Sequence, residues 1–217
     1  MAKQKLCELG ARNINVIQYP SVAYGEIDKL KKKIGYKIEN RIVISLIGMI
    51  RRDKNYEMAF NGFSKSICFN NDDYLLLIAG YPSGVDSGYV QSLVECYGIE
   101  NVFVLQKYLS LDELNDMFNL SDYMLIPYGG GGSSQSGPAS TAREYEIPCI
   151  AFRGGEISDY IEKYNIGYTF TGISELVSIL DGLPGESVFN FEEVRGNFSW
   201  EQTAQQYINL VEVVNVD

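Results

Sequence analysis

The 217-residue chain contains no histidine. That absence removes Ser-His-Asp and Cys-His catalysis, histidine-ligated zinc and every imidazole general base, so any chemistry must run on carboxylates, hydroxyls, lysine, arginine or backbone dipoles. Cysteine is sparse. The four cysteines, Cys7, Cys68, Cys96 and Cys149, are far apart and form no C-x-x-C, which excludes a disulfide scaffold and predicts reduced thiols. No window approaches the roughly 18 uncharged apolar residues of a membrane span, and Met1 to Lys5 lacks the apolar stretch of a signal peptide. The expectation is a cytoplasmic chain without a transmembrane segment. Positive charge is also short: 18 Lys and Arg against 28 Asp and Glu leave a net charge of −10. An acidic domain does not draw in phosphate backbones over long range, so nucleic acid is not expected as a partner.

What is present has the balance of a globular domain, 46% hydrophobic and 21% charged, which fits disordered, collagen-like and coiled-coil chains badly. From Arg41 onward, short β-rich apolar runs alternate with stretches of helical spacing. Ile42 to Ile47 ends at Gly48 and precedes a helix over Tyr56 to Phe69. Tyr74 to Ala79 precedes a helix over Asp86 to Tyr97. Val102 to Leu105 precedes a helix over Ser110 to Asn119, opened by the capping box Ser110-Leu111-Asp112-Glu113. Tyr123 to Ile126 leads to a helix opening near Gly137-Pro138, Pro148 to Phe152 to one over Glu156 to Tyr164, and Tyr168 to Phe170 to one over Ser174 to Leu180. Six βα units predict an α/β fold with a doubly wound, Rossmann-like parallel sheet of six strands.

The ends depart from this rhythm. Lys3 to Leu9 reads as a helix tail closed by Gly10, Ile14 to Ile17 as a lone strand, and the basic Lys29 to Lys33 as part of a linker. Ser199 caps a last helix to about Val213, with Trp200, Ala204, Tyr207, Ile208 and Val211 along one side. The expected divisions are residues 1–40, 41–198 and 199–217.

In a doubly wound sheet, ligands bind beyond the carboxyl ends of the strands, near the point where strand order reverses. The loop after the first strand, Gly48-Met49-Ile50-Arg51-Arg52-Asp53-Lys54-Asn55, sets three cations before a helix N-terminus. The helix dipole disfavours cations there, which makes a bound anion the reason for them; a solvated surface loop is the alternative. Pro127 to Pro138 is a glycine-serine loop in which Ser136 or Gly137 can cap the next helix and Pro138 suits its first turn. Amides around Ser136 to Ser140 would then point at an anion, the alternative being a flexible loop of no consequence. There is neither a G-x-x-x-x-G-K-[ST] nor a G-x-G-x-x-G after the first strand.

Gly48-x-Ile50-Arg51-x-x-Lys54-Asn55 resembles the G-x-I-R-x-x-K-G/N segment of family 4 glycosyltransferases of the GT-B fold, also called glycosyl transferases group 1. Ser121-Asp122 to Pro127-Tyr128 resembles their D-x-x-x-x-P-Y/S. Gln135-Ser136-Gly137 with Ile147-Pro148-Cys149-Ile150-Ala151 is similar to the Q-S-G…P-V-I-A of one branch. Phe198-Ser199-Trp200-Glu201 looks like the F-S-W-E that opens their last helix. The matches fall in order over residues 40–215.

The resemblance implies the donor-binding C-terminal half of a retaining, metal-independent glycosyltransferase that takes a nucleotide-diphosphate sugar, UDP- or GDP-linked, as substrate and needs no cofactor. By motif position Arg51 and Lys54 would pair the diphosphate, with the amides at Ser136 and Gly137 on the same phosphates. Ser133, Ser134, Gln135 and Thr141 would lie toward the donor sugar or ribose, and Lys107, Tyr108 and Leu109 toward the base. Many members carry an E-x7-E pair at the positions held here by Ser133 and Thr141, so the acidic pair is absent; no catalytic residue is assigned. The acceptor would be a glycan or lipid-linked sugar, as in polysaccharide biosynthesis. A two-domain enzyme needs roughly twice one such domain, so residues 1–40 would be the linker and remnant of a missing N-terminal acceptor domain, or of its place in a partner subunit. Any membrane association would belong to that missing half. Residues 199–217 would cross back toward it, and their exposed apolar side chains predict self-association. The alternative is a non-catalytic module of the same fold that regulates a partner transferase, favoured if the protein's own carboxylates hold Arg51 and Lys54.

Overall fold

The structure, a computed structural model, describes residues 6–12, 14–15, 17, 20, 22–128, 136–185 and 187–214, without the side chains of 195–197 and 212–214. Six strands form one parallel sheet: β1 (Ile42–Ile47), β2 (Tyr74–Gly80), β3 (Val102–Gln106), β4 (Tyr123–Ile126), β5 (Cys149–Phe152) and β6 (Gly167–Phe170). Their order is β3-β2-β1-β4-β5-β6, so the winding reverses between β1 and β4, which pair through Ile44 with Tyr123 and Ser45 with Met124.

The central strands are apolar on both faces because helices cover both. Val43 and Ile47 of β1 and Leu75, Leu77 and Ala79 of β2 join one buried cluster, with Met117, Phe118, Ala142, Tyr145 and Ile161. Their alternates Ile44, Leu46, Leu76 and Ile78 join the other, with Phe60, Phe63, Leu93, Leu176 and Leu180. The first layer is built from α4 (Leu111–Leu120), α5 (Gly137–Glu144), α6 (Glu156–Tyr164) and α8 (Phe191–Asn197) together with α1 (Lys29–Tyr36); the second from α2 (Tyr56–Ser64), α3 (Tyr89–Tyr97) and α7 (Ile173–Asp181). Ser110 accepts the Glu113 amide and Glu113 accepts the Ser110 amide, so the predicted capping box is formed.

The helix expected to run to Phe69 stops at Ser64. Beyond it the Ser66 hydroxyl donates to Phe63 O and accepts from Cys68 N, closing a turn instead of another helical step. The basic Lys29 to Lys33 stretch, expected as part of a linker, forms the start of α1, capped by Asp28, which accepts Lys31 N at 3.0 Å. It packs along α4, where Lys32 pairs with Asp116. Lys33 is buried, its Nζ donating to Arg41 O at 2.8 Å and to Asp122. A run of lysines reads as solvated when its carboxylate partners lie some 85 residues away. Ahead of α1, Tyr24 N donates to the Tyr145 hydroxyl and Asp28 N to Asn119 Oδ1.

Of the lone strand expected over Ile14 to Ile17, the described Ile14, Asn15 and Ile17 join no ladder, and Val16 lies outside the described residues. The helix tail is present at residues 6–8, with Gly10 at φ +85° after it. At the other end α9 (Trp200–Val214) opens where Ser199 Oγ accepts Gln202 N at 3.1 Å. It leaves Trp200, Tyr207, Ile208 and Val211 exposed while Thr203 turns inward. The short α8 before it is not anticipated by the sequence pattern.

Candidate functional site

At the carboxyl end of β1 the chain must clear β2. Gly48 (φ +121°) and Gly80 (φ +153°) meet there so closely that a Cβ on Gly80 would lie 1.8 Å from Gly48 O. Only residues without a Cβ fit. Ile50 N then donates to Tyr81 O at 2.8 Å, Arg51 follows in extended conformation, and Arg52–Lys54 make one 3-10 turn. Asn55 closes the turn in the left-handed region (φ 52°, ψ 47°), a conformation that asparagine tolerates better than most. This gives a physical reason for glycine or asparagine after the lysine. Its Nδ2 donates to Pro127 O at 3.2 Å and ties the loop after β1 to the end of β4.

From the β4 side, Tyr128 and Ser136 join through their hydroxyls at 3.0 Å. Ser136 caps α5 by accepting Ala139 N, and Gly137-Pro138 form its first turn. Pro138 has no amide hydrogen, Ala139 is spent on the cap and Ser140 N donates to Ser136 O. Within the helix that leaves the Gly137 amide as the early donor. Pro138 packs against the β1 loop: a Cβ on Gly48 would lie 2.9 Å from its Cγ.

Between these loops is a cavity of about 270 Å³, walled by Arg51, Lys54, Tyr56, Tyr128, Ser136, Gly137 and Pro138 and floored by the ends of β1 and β4. It sits at the reversal of strand order, where a doubly wound sheet opens a crevice. Lys54 Nζ lies 3.5 Å above the centre of the Tyr128 ring. Arg51 makes a two-point contact with Asp53, Nε to Oδ1 at 2.9 Å and Nη2 to Oδ2 at 2.5 Å. That hydrogen bonding holds the Asp53 carboxyl below its ordinary range and raises the already high Arg51. Burial, and then the neighbouring Tyr128, push the Tyr56 phenol well above its usual value. Two cations, three hydroxyls and a helix N-terminus around one hollow suit an oxyanion.

Arg51, Lys54, Ser136 and Gly137, separated by more than 80 residues in the chain, therefore meet. Ser133, Ser134 and Gln135 lie outside the described residues, as does Gly129 to Gly132. Thr141 is 3% exposed in α5 and does not line the cavity. Lys107, Tyr108 and Leu109 follow β3, two strands from β1 on the same carboxyl edge. Lys107 pairs with Glu113, Tyr108 stands 83% exposed and Leu109 is buried. Residue type alone does not mark Tyr56, Tyr128 or Asp53 as part of the site. A tyrosine directly after R-x-x-K-N was the available signal, yet it reads as a core aromatic.

A larger hollow of about 430 Å³ lies on another face, but Glu26, Asp28, Glu144 and Glu146 line it beside Lys29, and its acidic walls repel an anion. Among the described residues no cluster of His, Cys, Asp or Glu is arranged to hold a metal, and no helix is long and apolar enough to cross a membrane.

No family model matches the chain. A 2-deoxystreptamine glucosyltransferase from Streptomyces kanamyceticus is 25% identical over 141 residues, covering 65% of this chain and 35% of that protein. This chain thus corresponds to about a third of that relative's length. Among solved structures, HepE from Anabaena, crystallised in complex with UDP and glucose, superposes with a TM-score of 0.77 at 14% identity, over 98% of this chain and 61% of that one. A glycosyltransferase from Rickettsia africae ESF-5 gives 0.78 at 15%, over 100% and 62%. The C-terminal domain of the glycosyl transferase group 1 protein LpcC from Francisella tularensis gives 0.61 at 15%, over 86% of this chain and 96% of that domain. The resemblance carried by the motifs from Gly48 to Glu201 and the three-dimensional likeness agree, and the chain has the fold of the C-terminal, Rossmann-like half of a GT-B glycosyltransferase.

Proposed function

We propose that this chain is the nucleotide-diphosphate-sugar-binding half of a retaining glycosyltransferase acting on a glycan or lipid-linked acceptor. The observation that carries the reading is the cavity at the β1/β4 reversal, where Arg51, Lys54 and the α5 N-terminus converge. On this reading the diphosphate of a UDP- or GDP-linked sugar replaces Asp53 as the partner of Arg51 and draws Lys54 from the Tyr128 face. The same charges stabilise the leaving diphosphate as the glycosidic bond to the donor breaks, a role that needs no imidazole. HepE, with UDP and glucose in its crystal, supports a UDP-sugar as the ligand class. Residues 41–198 form the donor domain, residues 1–40 lead from an acceptor domain or partner subunit, and 199–217 return toward it. Tyr108, exposed beyond β3 on the same carboxyl edge, lies toward the base, whereas Thr141, buried in α5, is not kept as a sugar or ribose contact. Alone, the chain transfers no sugar because one wall of the cleft is elsewhere.

A second reading, a non-catalytic module of this fold, is favoured by one observation: the Arg51–Asp53 pair already satisfies one of the two cations. Calorimetric titration of the chain with UDP-, GDP- and ADP-sugars separates the two. Saturable binding of one nucleotide class, tighter for diphosphate than monophosphate, supports the donor-site reading, and its absence with all three leaves the module. Transfer to an acceptor by the isolated chain at enzyme-like rates, on the order of 1 to 10³ per second, would overturn the half-enzyme reading.

A further inference from the structure

Tyr56 opens α2 directly behind Lys54 and Asn55, is 3% exposed, and lines the same cavity as Arg51, Lys54, Tyr128 and Ser136. Its ring is held edge-on against Tyr89, 6.2 Å between centroids. Its hydroxyl has no hydrogen-bond partner among the described residues. Every fully enclosed side-chain nitrogen or oxygen among them does have one, so the Tyr56 oxygen is not fully enclosed, and the open volume that Tyr56 lines is the cavity. The ring contacts themselves need no hydroxyl, and a phenylalanine would supply them equally. The other two hydroxyls on the cavity wall are occupied, Tyr128 and Ser136 with each other and Ser136 also with Ala139 N.

We infer that Tyr56 is a further ligand-binding residue of this site, donating its hydroxyl proton to a phosphate oxygen of the bound nucleotide diphosphate. The inference rests on the proposed donor site and adds to it a contact that neither the motif nor its charges include. Phosphate oxygens only accept, and burial keeps the phenol protonated at neutral pH, so the pairing has one direction. The packed ring fixes the oxygen in advance, and little freedom is lost on binding. Tyr128 and Ser136 shape the wall, Arg51 and Lys54 supply charge, and Tyr56 sets the depth at which a phosphate sits.

The test is Tyr56→Phe in the full chain, read by calorimetry with UDP and by urea unfolding. The expected result is an affinity for UDP about tenfold weaker, with an unfolding midpoint unchanged or raised. Inorganic pyrophosphate, added to the wild-type chain, should produce a near-ultraviolet tyrosine difference spectrum that Tyr56→Phe reduces. Wild-type affinity in Tyr56→Phe, together with lost binding in Lys54→Ala, overturns the role of Tyr56 and leaves the donor site standing. A wild-type chain that binds neither UDP, GDP nor pyrophosphate overturns both. A midpoint that falls sharply in Tyr56→Phe makes the hydroxyl a structural group and also overturns the inference.

Discussion

Lys54 holds its ammonium 3.5 Å above the Tyr128 ring centre, and the Tyr128 hydroxyl in turn meets the Ser136 hydroxyl that caps α5. The lysine after β1 and the helix after β4 are thus joined through one aromatic side chain across the reversal point of the sheet. A cation over an aromatic face is held by about 0.5–2 kcal/mol, less than a charge-assisted hydrogen bond network to a diphosphate supplies. An arriving anion can therefore take the lysine from the ring.

On the donor-site reading, removing either cation should weaken diphosphate binding. Arg51→Ala and Lys54→Ala should each lose about 1.5–3 kcal/mol of UDP affinity, the scale of hydrogen bonds to charged groups, with a much smaller loss for UMP. Calorimetry on both ligands checks this; equal losses for the two nucleotides would place the cations away from the β-phosphate.

On the donor-site reading, Asp53 competes with the ligand for Arg51. Because an exposed ion pair is weak, Asp53→Asn should tighten UDP binding by up to about fivefold. The gain should shrink in high salt, which screens exposed charges. Unchanged or weaker binding in Asp53→Asn would show that Arg51 keeps its carboxylate partner in the complex.

The loop crossing depends on two glycines. Gly48→Ala puts a Cβ 2.9 Å from Pro138 Cγ at φ +121°, and should cost about 1–3 kcal/mol. Gly80→Ala drives its Cβ into Gly48 O at 1.8 Å and should cost about 3 kcal/mol or more. Urea unfolding of both variants gives the order; the reverse order would mean that the β2 end moves freely.

The thiols separate by burial. Cys7 and Cys96 are exposed, whereas burial pushes Cys68 up to about 11 and Cys149 to about 12. A thiol reagent at pH 8 should modify Cys7 and Cys96 quickly and the other two only on unfolding. Both raised values lie above the unfolded value of 9.0, so their contribution to stability is intact below pH 9 and is lost as pH climbs toward 12. Rapid reaction of four thiols in the native chain would contradict the burial of Cys68 and Cys149.

Much of this protein is legible one residue after another. Apolar runs of strand length, each followed by helical spacing, dictate six βα units, because local period and turn chemistry act within about 30 residues. The cations of the β1 loop and the serine-glycine-proline opening of α5 mark themselves as odd where a helix dipole should repel or attract charge. Folding decided what depends on distant neighbours. The lysines at 29–33 become a helix because Asp116 and Asp122 wait on the far side of the chain. Arg51 is turned onto Asp53 by one 3-10 turn, Lys54 onto Tyr128 by the order of strands, and Tyr56, a member of the buried core, also lines the cavity. A sequence records which groups can pair, but burial and approach across 80 residues set which of them do, and here they bring Arg51, Lys54, Tyr56 and Ser136 to the wall of one cavity.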